Sequence, residues 1–534
     1  MVRKFLFRSS IDASFMGKAV ALSVKLTPVA NMKKVHFTHL LLSVILFVGF
    51  AGQVTARELR VETQGQLATA LKTAGADDFI ILKDGEWKDT KLAIKQGGLV
   101  GRPLVIHAEN PGAVKFSGTS SLEINAPYVI VDGFLFAEGS TQKGAVIQFN
   151  SHHGIVRNTA IVDYNPKAFE TEYYWVFFAG DYNVIERCYF KGKNNLQPLI
   201  GNAIEDSRHN TVRDSYFKNI PYVANANGRE IIRVWGSGKI EDRDEDGAYF
   251  TIENNLFDHA HGEGTEIISL KSNHNIVQGN TIIATRGGVN IRRGNFNTVR
   301  GNQLLGQGYE GAQGLRMSGR DNIVAGNFVS GCEYGIRVAC GEYITSSLTP
   351  SYTPDVKPNG KKTAQVRIPT YPQVLRLSLV DNVTIGISGP DLEVGSAYKN
   401  HWPVSQQVLV PEDCMIKNNR FIRTGSGGDA VIVTVPEIQP PFDRFTFKSN
   451  RYEGNTLVGV GTIATPAQSG FTVQPASFYN SKIAQAATAP LSAEQVGPAW
   501  VIARRRAGDW AVEDSLSEER PAAASEVRKK KKNR

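Results

Sequence analysis

The sequence predicts an all-β fold, a right-handed parallel β-helix with a short N-terminal capping helix. A short β-branched run ending in asparagine recurs as NIVQGN, NTVRGN and NIVAGN, at Asn275–Asn280, Asn297–Asn302 and Asn322–Asn327. The final asparagines of these copies are 22 and 25 residues apart. A unit of this size cannot form its own core, whereas stacked coils can. Right-handedness is expected because crossovers between parallel strands are right-handed.

The elements follow in chain order. Leu67, Ala70, Leu71 and Ala74 have helical spacing, and residues 79–82 have the pattern of a buried strand. We expect this helix to cap the array, since strand patterns alone follow it. Weaker copies of the repeat occur before and after the three clear ones, ending at Asn158, Cys188, Ser215, Asn255, Asn419 and Asn450.

Two further features fit a stack of coils. Asparagine tolerates left-handed backbone and can hydrogen-bond to its equivalent in the next coil, so the repeat predicts an asparagine ladder. The Pro-rich stretch 346–372 has no repeat and is predicted to be a long loop inserted between coils. Such loops often form one wall of a groove.

The positive charge of the chain lies at its two ends. The formal net charge is +9, yet residues 1–56 contribute +6 and residues 528–534 another +6, which leaves −3 between them. The body is therefore not a polyanion-binding block, and no nucleic acid partner is expected. We expect residues 516–534 to be a disordered basic tail.

The N-terminus has the pattern of an export signal. Met32–Ala56 contains two lysines, an apolar stretch and small residues at its end, as secretory signal peptides do. The apolar stretch is too short for a transmembrane helix. We therefore expect residues 1–56 to be an N-terminal extension with a signal, residues 57–515 to be the β-helix, and the protein to be secreted or periplasmic. No membrane association is expected after cleavage.

Two cations are predicted to stack on the outside of one sheet. The apolar pair of EIISLKS (Glu266–Ser272) matches the apolar pair of GGVNIRRGN (Gly287–Asn295) at an offset of 21 residues. This offset places Arg292 directly over Lys271 and selects Arg292 rather than Arg293. Since stacked strands lie about 4.8 Å apart, the two cations should be close.

Acidic and amide oxygens are predicted beside this pair. The preceding coil, NGREIIRVW (Asn227–Trp235), aligns at an offset of 36 residues. That offset places Asn227 under Glu263 and Glu230 under Glu266. Oxygen ligands of this kind suit Ca²⁺.

A lysine, an arginine and Ca²⁺ on one groove fit β-elimination of an acidic polysaccharide. The C–H beside a uronate carboxylate is weakly acidic, and Ca²⁺ on the carboxylate would stabilise the charge that develops. Lys271, with two cations near it, can act as the base. Arg292 stays cationic and so stabilises charge or steers a proton.

These segments resemble the core motif of polysaccharide lyase family 6, the chondroitinase-B-like alginate lyases. The resemblance rests on GEGTEIISLKS and NTIIATRGGVNIRRGN and extends from GQLATALKTAGADDFIILKDGEW to LSAEQVGPAW. It implies a right-handed β-helix that degrades alginate or dermatan sulfate, with Lys271 as base and Arg292 as acid or charge stabiliser. It also implies Asn227, Glu263 and Glu266 as calcium ligands.

The sequence departs from the family pattern at two places. The family usually has Glu-x-Glu, whereas Glu263-Gly-Thr-Glu266 is one residue longer, so Glu263 reaches the metal only if a bulge at Gly264 returns it. The family often has histidine after the catalytic arginine, where this chain has Arg293. That change would alter subsite charge or substrate preference.

Further residues are candidates for substrate binding, and other functions remain open. Arg233, Arg293 and Arg316 could hold substrate carboxylates, although Arg233 and Arg316 also suit surface ion pairs. His261 is a groove candidate with an equally good structural reading. The alternatives are a dermatan sulfate lyase, or a non-catalytic exported β-helix that binds carbohydrate. A β-helix glycosidase is disfavoured because no Asp-rich pair occurs on these coils. Oligomeric state is not indicated.

Overall fold

The chain folds as a right-handed parallel β-helix, as predicted. The computed structural model describes residues 56–204, 207–224, 226–236, 245–342, 371–401, 405–423, 429–433, 449–464, 467–479 and 489–508. The predicted signal, most of the predicted insert and the basic tail lie outside these residues and stay predictions.

Three parallel sheets run along the helix axis, with 14, 14 and 13 strands among the described residues. The strands of sheet 1 are Glu58–Val61, Phe79–Leu82, Leu104–Ala108, Val129–Asp132, Ile155–Arg157, Val184–Glu186, Thr211–Arg213, Thr251–Glu253, Ile276–Gln278, Thr298–Arg300, Ile323–Ala325, Ser378–Val380, Met415–Lys417 and Arg451–Glu453. Those of sheet 2 are Gly85–Lys88, Val114–Gly118, Phe134–Gly139, Ala160–Val162, Tyr189–Lys191, Tyr216–Ile220, Leu256–Ala260, Thr281–Ile283, Gln303–Leu305, Phe328–Ser330, Val383–Ile385, Arg420–Arg423, Asn455–Gly459 and Phe471–Gln474. Those of sheet 3 are Lys91–Ile94, Ser121–Ile124, Ala145–Phe149, Tyr174–Phe178, Ile200–Asn202, Ile232–Trp235, Glu266–Lys271, Gly287–Arg293, Ala312–Met317, Ile336–Ala339, Leu392–Ser396, Asp429–Val433 and Thr462–Ile463.

Few elements lie outside the three sheets. The predicted capping helix is Gln64–Thr73, which buries Leu67 and Ala70 and begins where the Thr63 side chain accepts a hydrogen bond from the Gln66 amide. The remaining described elements are the antiparallel pair Lys399–His401 and Ser405–Gln407, the 3₁₀ turns Ala467–Gly470 and Ala476–Phe478, and the C-terminal helix Ala499–Arg506. Neither described α-helix has the length and apolar character needed to span a membrane.

The C-terminal helix covers part of the outer face of sheet 2. It follows Pro498, and Val501 packs with Tyr216 and Leu256 of that sheet. The main core is separate, since it consists of the inward-facing apolar residues of all three sheets in one continuous cluster. Burial of these apolar residues on every coil is the main stabilising contribution to the stack.

Asparagine ladders connect the coils, as the repeats predicted. The backbone amide of Asn280 donates to Oδ1 of Asn302, that of Asn302 to Asn327, and that of Asn327 to Asn382, each at 3.0 Å. The last step spans 55 residues of chain. The sequence suggested that the ladder asparagine itself has left-handed backbone. In the structure the left-handed residue is instead the one before the asparagine, such as Gly301 with φ of 60°.

Candidate active site

Lys271 lies at the end of the buried strand Glu266–Lys271 in sheet 3. Its side chain is 6 % exposed, and Nζ is 2.7 Å from Glu230 Oε1. Nζ also lies 4.9 Å from the ring centroid of Trp235, which pairs with Lys271 in the sheet. The amine is therefore held between a carboxylate and an aromatic ring, in a place where little water reaches it.

Three carboxylates meet beside Lys271. One oxygen each of Glu230, Glu263 and Glu266 lies within 4.8 Å of the others, and we call these residues the acidic cluster. Among the described residues, Glu230 Oε2 is buried and has no hydrogen-bond partner. Burial and the neighbouring Glu230 raise the pKa of Glu263 to about 7. Close, incompletely paired carboxylates are an arrangement that a hard cation stabilises.

A glycine turn brings Glu263 into the acidic cluster. Gly264 has φ of 78°, and its amide donates to the His261 carbonyl at 2.9 Å. The pairing with the next coil also slips one residue between Glu266 and Ile268. Glu263 Oε2 then accepts a hydrogen bond from the Gly228 amide at 2.7 Å. The longer Glu263–Glu266 spacing is thus absorbed by the turn at Gly264 that the sequence required.

Two arginines approach the cluster from the following coils. Arg316 Nη2 is 2.6 Å from Glu266 Oε1, and Arg292 Nη1 is 3.7 Å from Glu266 Oε2. Ser269 Oγ donates to the same Oε2 at 2.5 Å. Burial raises the pKa of Glu266, but Arg316, Arg292 and Lys271 together outweigh it, and the net pKa is below the usual value. Glu266 is therefore a carboxylate at neutral pH, whereas Glu263 is only partly ionised.

The predicted stacking of Arg292 directly over Lys271 is wrong in its backbone register. The offset of 21 residues holds for Ile268–Leu270, but a bulge follows Leu270 and the Cα partner of Lys271 is Arg293. The Arg292 side chain nonetheless points to the acidic cluster, as its contact with Glu266 shows. The parity argument thus selected the side chain that reaches the acidic cluster, although the strand is irregular at this point.

Comparison with known proteins identifies the chain. The family model described as Chondroitinase B matches residues 61–337. A PL6 family polysaccharide lyase from Pseudopedobacter saltans is 41 % identical, with a TM-score of 0.72, over 83 % of this chain and 99 % of that one. The chain belongs to polysaccharide lyase family 6.

Other solved PL6 lyases share the fold at lower identity. The alginate lyase AlyGC is 22 % identical, with a TM-score of 0.68, over 83 % of this chain and 58 % of that one. A mannuronic acid-specific PL6 lyase from human gut microbiota is 19 % identical, with a TM-score of 0.65, over 86 % of this chain and all of that one. No curated protein matches this lyase.

The other predicted site residues of the lyase differ in whether they contact the acidic cluster. Arg233 joins it, with Nη1 3.5 Å from Glu230 Oε2. The Asn227 side chain is exposed and makes no described contact with the carboxylates, although the next residue, Gly228, donates its amide to Glu263. Arg293 is half-buried beside Lys271 in the sheet.

His261 is held inside the lyase by both ring nitrogens. Nδ1 accepts a hydrogen bond from the Arg286 amide at 3.1 Å, which leaves the proton on Nε2, 3.2 Å from the Tyr309 hydroxyl. Burial, followed by the nearby His259 and Arg286, lowers the pKa of His261 to about 4. Its ring is therefore neutral and engaged within the protein, so this arrangement supports the structural reading of His261.

Three residues of the site fell outside the predicted set. Glu230 was aligned under Glu266 by the offset of 36 residues but was not counted as a metal ligand. Trp235 ends the matching strand of the preceding coil, and that alignment could have indicated its contact with Lys271. Tyr371 reaches Arg292 and Arg316 from the end of the insert, where no repeat could have indicated it.

Proposed function

We propose that this lyase cleaves alginate by β-elimination, with Lys271 as the base and Arg292 as the group that stabilises the developing charge. One observation carries the proposal: the amine of Lys271 and the guanidinium of Arg292 both reach the acidic cluster, from neighbouring coils of sheet 3. A base beside a site for carboxylate charge is what abstraction of the C5 proton of a uronate requires.

The proton transfer follows from the contacts of Lys271. When it is deprotonated, the Lys271 amine takes the C5 proton, the C–H electron pair forms the C4–C5 double bond, and the glycosidic oxygen leaves C4. The resulting ammonium has a counter-ion in place, since Glu230 Oε1 is 2.7 Å away. Trp235 fixes the direction of the side chain through its ring contact with Nζ. Glu230 thus stabilises the ammonium that the proton transfer forms.

Arg292 is suited to stabilise negative charge. Burial lowers its pKa, but Glu266, Tyr371, Glu230 and Glu263 together outweigh burial, and the net pKa lies above the ordinary value. The guanidinium therefore stays cationic throughout the reaction. Facing the uronate carboxylate, it would stabilise the enolate-like charge on the substrate.

The acidic cluster fits a calcium ion. The buried Glu230 Oε2 without a hydrogen-bond partner and the raised pKa of Glu263 are both expected of carboxylates that share a cation. Glu230, Glu263 and Glu266 would hold the ion, with Asn227 as the ligand implied by the resemblance. When bound, Ca²⁺ would neutralise the substrate carboxylate and acidify the C5 proton.

The choice of alginate rests on the cations of sheet 3. Arg233, Arg316 and Arg337 occupy one outward row on different coils, with Ser269 and Asn290 between the first two. A row of cations along the axis suits a polymer with a carboxylate on every sugar, as in alginate. Dermatan sulfate is the second candidate, because the matching family model is described as Chondroitinase B. We also propose that the enzyme acts after export, in the periplasm or the medium.

The test measures the ultraviolet absorbance of the unsaturated uronate product. Each protein is mixed with alginate or dermatan sulfate, in Ca²⁺ or EDTA. The proteins are wild type, Lys271→Ala and the control Lys91→Ala, which changes an exposed residue at the N-terminal end of sheet 3. We expect cleavage of alginate by wild type and control, with at least a 1,000-fold loss in Lys271→Ala, about the contribution of a positioned base. Cleavage that survives EDTA would refute the calcium role alone, and folded wild type that cleaves neither polymer would refute the lyase assignment.

A further inference from the structure

The loop that carries Glu263 is covered by two side chains, those of Tyr222 and Arg286. Tyr222 belongs to the coil before this loop, and Arg286 belongs to the coil after it. The guanidinium carbon of Arg286 is 4.4 Å from the ring centroid of Tyr222. Nη2 of Arg286 is also 2.6 Å from Glu310 Oε1, one coil further on. The two side chains therefore meet across the loop, and a carboxylate of the next coil holds the cation in place.

Glycines make room for this contact. An added Cβ at Gly264 would lie 2.5 Å and 2.6 Å from Cε2 and Cδ2 of Tyr222. An added Cβ at Gly311 would lie 3.1 Å from Cγ of Arg286. The ring of Tyr222 thus packs directly on the main chain of Gly264, which has φ of 78° and turns Glu263 into the acidic cluster. The ring contacts the loop at its bend.

The two ends of the loop are held by other contacts. Arg229 Nη1 donates to the Gly262 carbonyl at 3.1 Å, and the Gly288 amide donates to the Thr265 carbonyl at 3.2 Å. Glu263 lies between these two points. Repulsion within the acidic cluster favours movement of its carboxylate toward solvent. The aromatic ring on the bend opposes such a movement.

We propose that Tyr222 and Arg286 are positioning residues that hold the Glu263 carboxylate in place for the cation. The inference rests on the calcium role in the proposed function. The spacing from Glu263 to Glu266 is one residue longer than the family pattern, and Tyr222 covers the bend that accommodates the additional residue. A longer loop has more conformations, so fixing it before the cation arrives lowers the entropy cost of binding. Without the ring and its arginine, Glu263 must be ordered when Ca²⁺ binds, and the affinity for Ca²⁺ falls.

The test compares variants that differ in whether an aromatic ring covers the bend. Tyr222→Leu removes the ring, the conservative variant Tyr222→Phe keeps it, and Arg286→Gln removes only the cation that lies on it. Phe296→Leu is the matched control, because the Phe296 ring also contacts an arginine, with the guanidinium carbon of Arg320 5.0 Å from its centroid. Phe296 follows the strand Gly287–Arg293, whereas Arg286 precedes it. For each protein, Ca²⁺ binding is measured by calorimetry, Tm in EDTA, and kcat on alginate at saturating Ca²⁺.

We expect Tyr222→Leu to bind Ca²⁺ about tenfold more weakly than wild type and Arg286→Gln about fivefold more weakly, near the lower end of what the loss of a residue that orients a metal ligand costs. Tyr222→Phe and Phe296→Leu should bind Ca²⁺ within about twofold of wild type. Tyr222→Leu and Phe296→Leu should nonetheless lower Tm in EDTA by similar amounts, since each loses a packed ring. Saturating Ca²⁺ should restore kcat of Tyr222→Leu to within about twofold, because Lys271 and Arg292 are unchanged.

Wild-type Ca²⁺ affinity in Tyr222→Leu and Arg286→Gln would overturn the inference, and so would an equal loss of affinity in Phe296→Leu. A kcat of Tyr222→Leu that stays low at saturating Ca²⁺ would also overturn it, because the residue would then act on the chemistry and not on the cation. If Tyr222→Leu does not fold, the comparison of Arg286→Gln with Phe296→Leu decides. Wild type that cleaves alginate without binding Ca²⁺ would overturn this inference and the calcium role but not the lyase. Wild type that neither binds Ca²⁺ nor cleaves a polymer would overturn the proposed function as well.

Discussion

Replacing Glu263 by glutamine tests whether the acidic cluster is built for a cation. The glutamine keeps the shape of the side chain and its acceptor for the Gly228 amide, but removes one of three converging charges. In the metal-free protein this charge is unfavourable, since burial and Glu230 raise the pKa of Glu263 to about 7. Glu263→Gln should therefore stabilise the metal-free protein at a pH where the wild-type carboxyl is ionised.

The size and sign of the effect follow from the pKa. The pKa is about 7 in place of 4.5. At about 1.4 kcal/mol for each tenfold change in ionisation constant, ionising Glu263 in the folded protein costs about 3.5 kcal/mol. An acid with a raised folded pKa stabilises the fold most below about pH 4.5, and this stability is lost as the pH rises through about 7. With an unfolding entropy of about 2 cal/mol/K per residue over about 450 residues, about 3.5 kcal/mol corresponds to roughly 4 °C in Tm.

The assay is thermal unfolding of wild type and Glu263→Gln at pH 5 and pH 8, in EDTA and in Ca²⁺. In EDTA we expect the variant to melt about 4 °C higher at pH 8 and within about 1 °C of wild type at pH 5. In Ca²⁺ at pH 8 the order should reverse, because the wild type binds the ion more tightly. Glu123→Gln, an exposed residue of the same sheet, is the control and should show no such pH dependence. Equal Tm values for wild type and Glu263→Gln at both pH values in EDTA would refute the reasoning.

Three further changes test the ladder, the support of the cluster and its charge balance. Asn302→Ala removes four buried hydrogen bonds between coils and should lower the free energy of unfolding in urea by about 2–4 kcal/mol. Gln278→Ala on the outer face is the control and should lower it by less than about 1 kcal/mol. Similar losses in the two variants would contradict a stabilising role of the ladder. Arg229→Met removes donors to four carbonyls, one of them just before Glu263, and should destabilise the fold by about 3 kcal/mol or more; unchanged urea unfolding would contradict it. Arg316→Gln removes a cation 2.6 Å from Glu266. Calorimetry should therefore show about fivefold tighter Ca²⁺ binding, while KM for the polymer rises. Weaker Ca²⁺ binding would contradict the view that Arg316 competes with the ion for Glu266.

The fold was predictable because its signals are periodic. Each copy of the repeat contains a buried β-branched run and a ladder asparagine, and the spacing of Asn280, Asn302 and Asn327 follows the coils. The same periodicity placed Lys271 on the outward face of its strand. Residues whose position follows from strand register could thus be found from the sequence.

The parts of the site that were missed depend on irregular backbone or on distant segments. The bulge after Leu270 changes the partner of Lys271 from Arg292 to Arg293, and strand parity cannot show a bulge. Tyr371 reaches the site through its attachment to Glu342, a contact between segments 29 residues apart that no repeat specifies. Such features depend on tertiary contacts, so the sequence pattern alone does not contain them.

The ladder step from Asn327 to Asn382 has the same 3.0 Å hydrogen bond as the steps of 22 and 25 residues. The spacing of the coils is therefore independent of how much chain is inserted between them. An evolving lyase of this architecture can lengthen or exchange the segment that delivers Tyr371 while the scaffold under Lys271 keeps its geometry. Substrate range and catalytic framework can then change separately, which makes the insert the natural place to graft a new specificity.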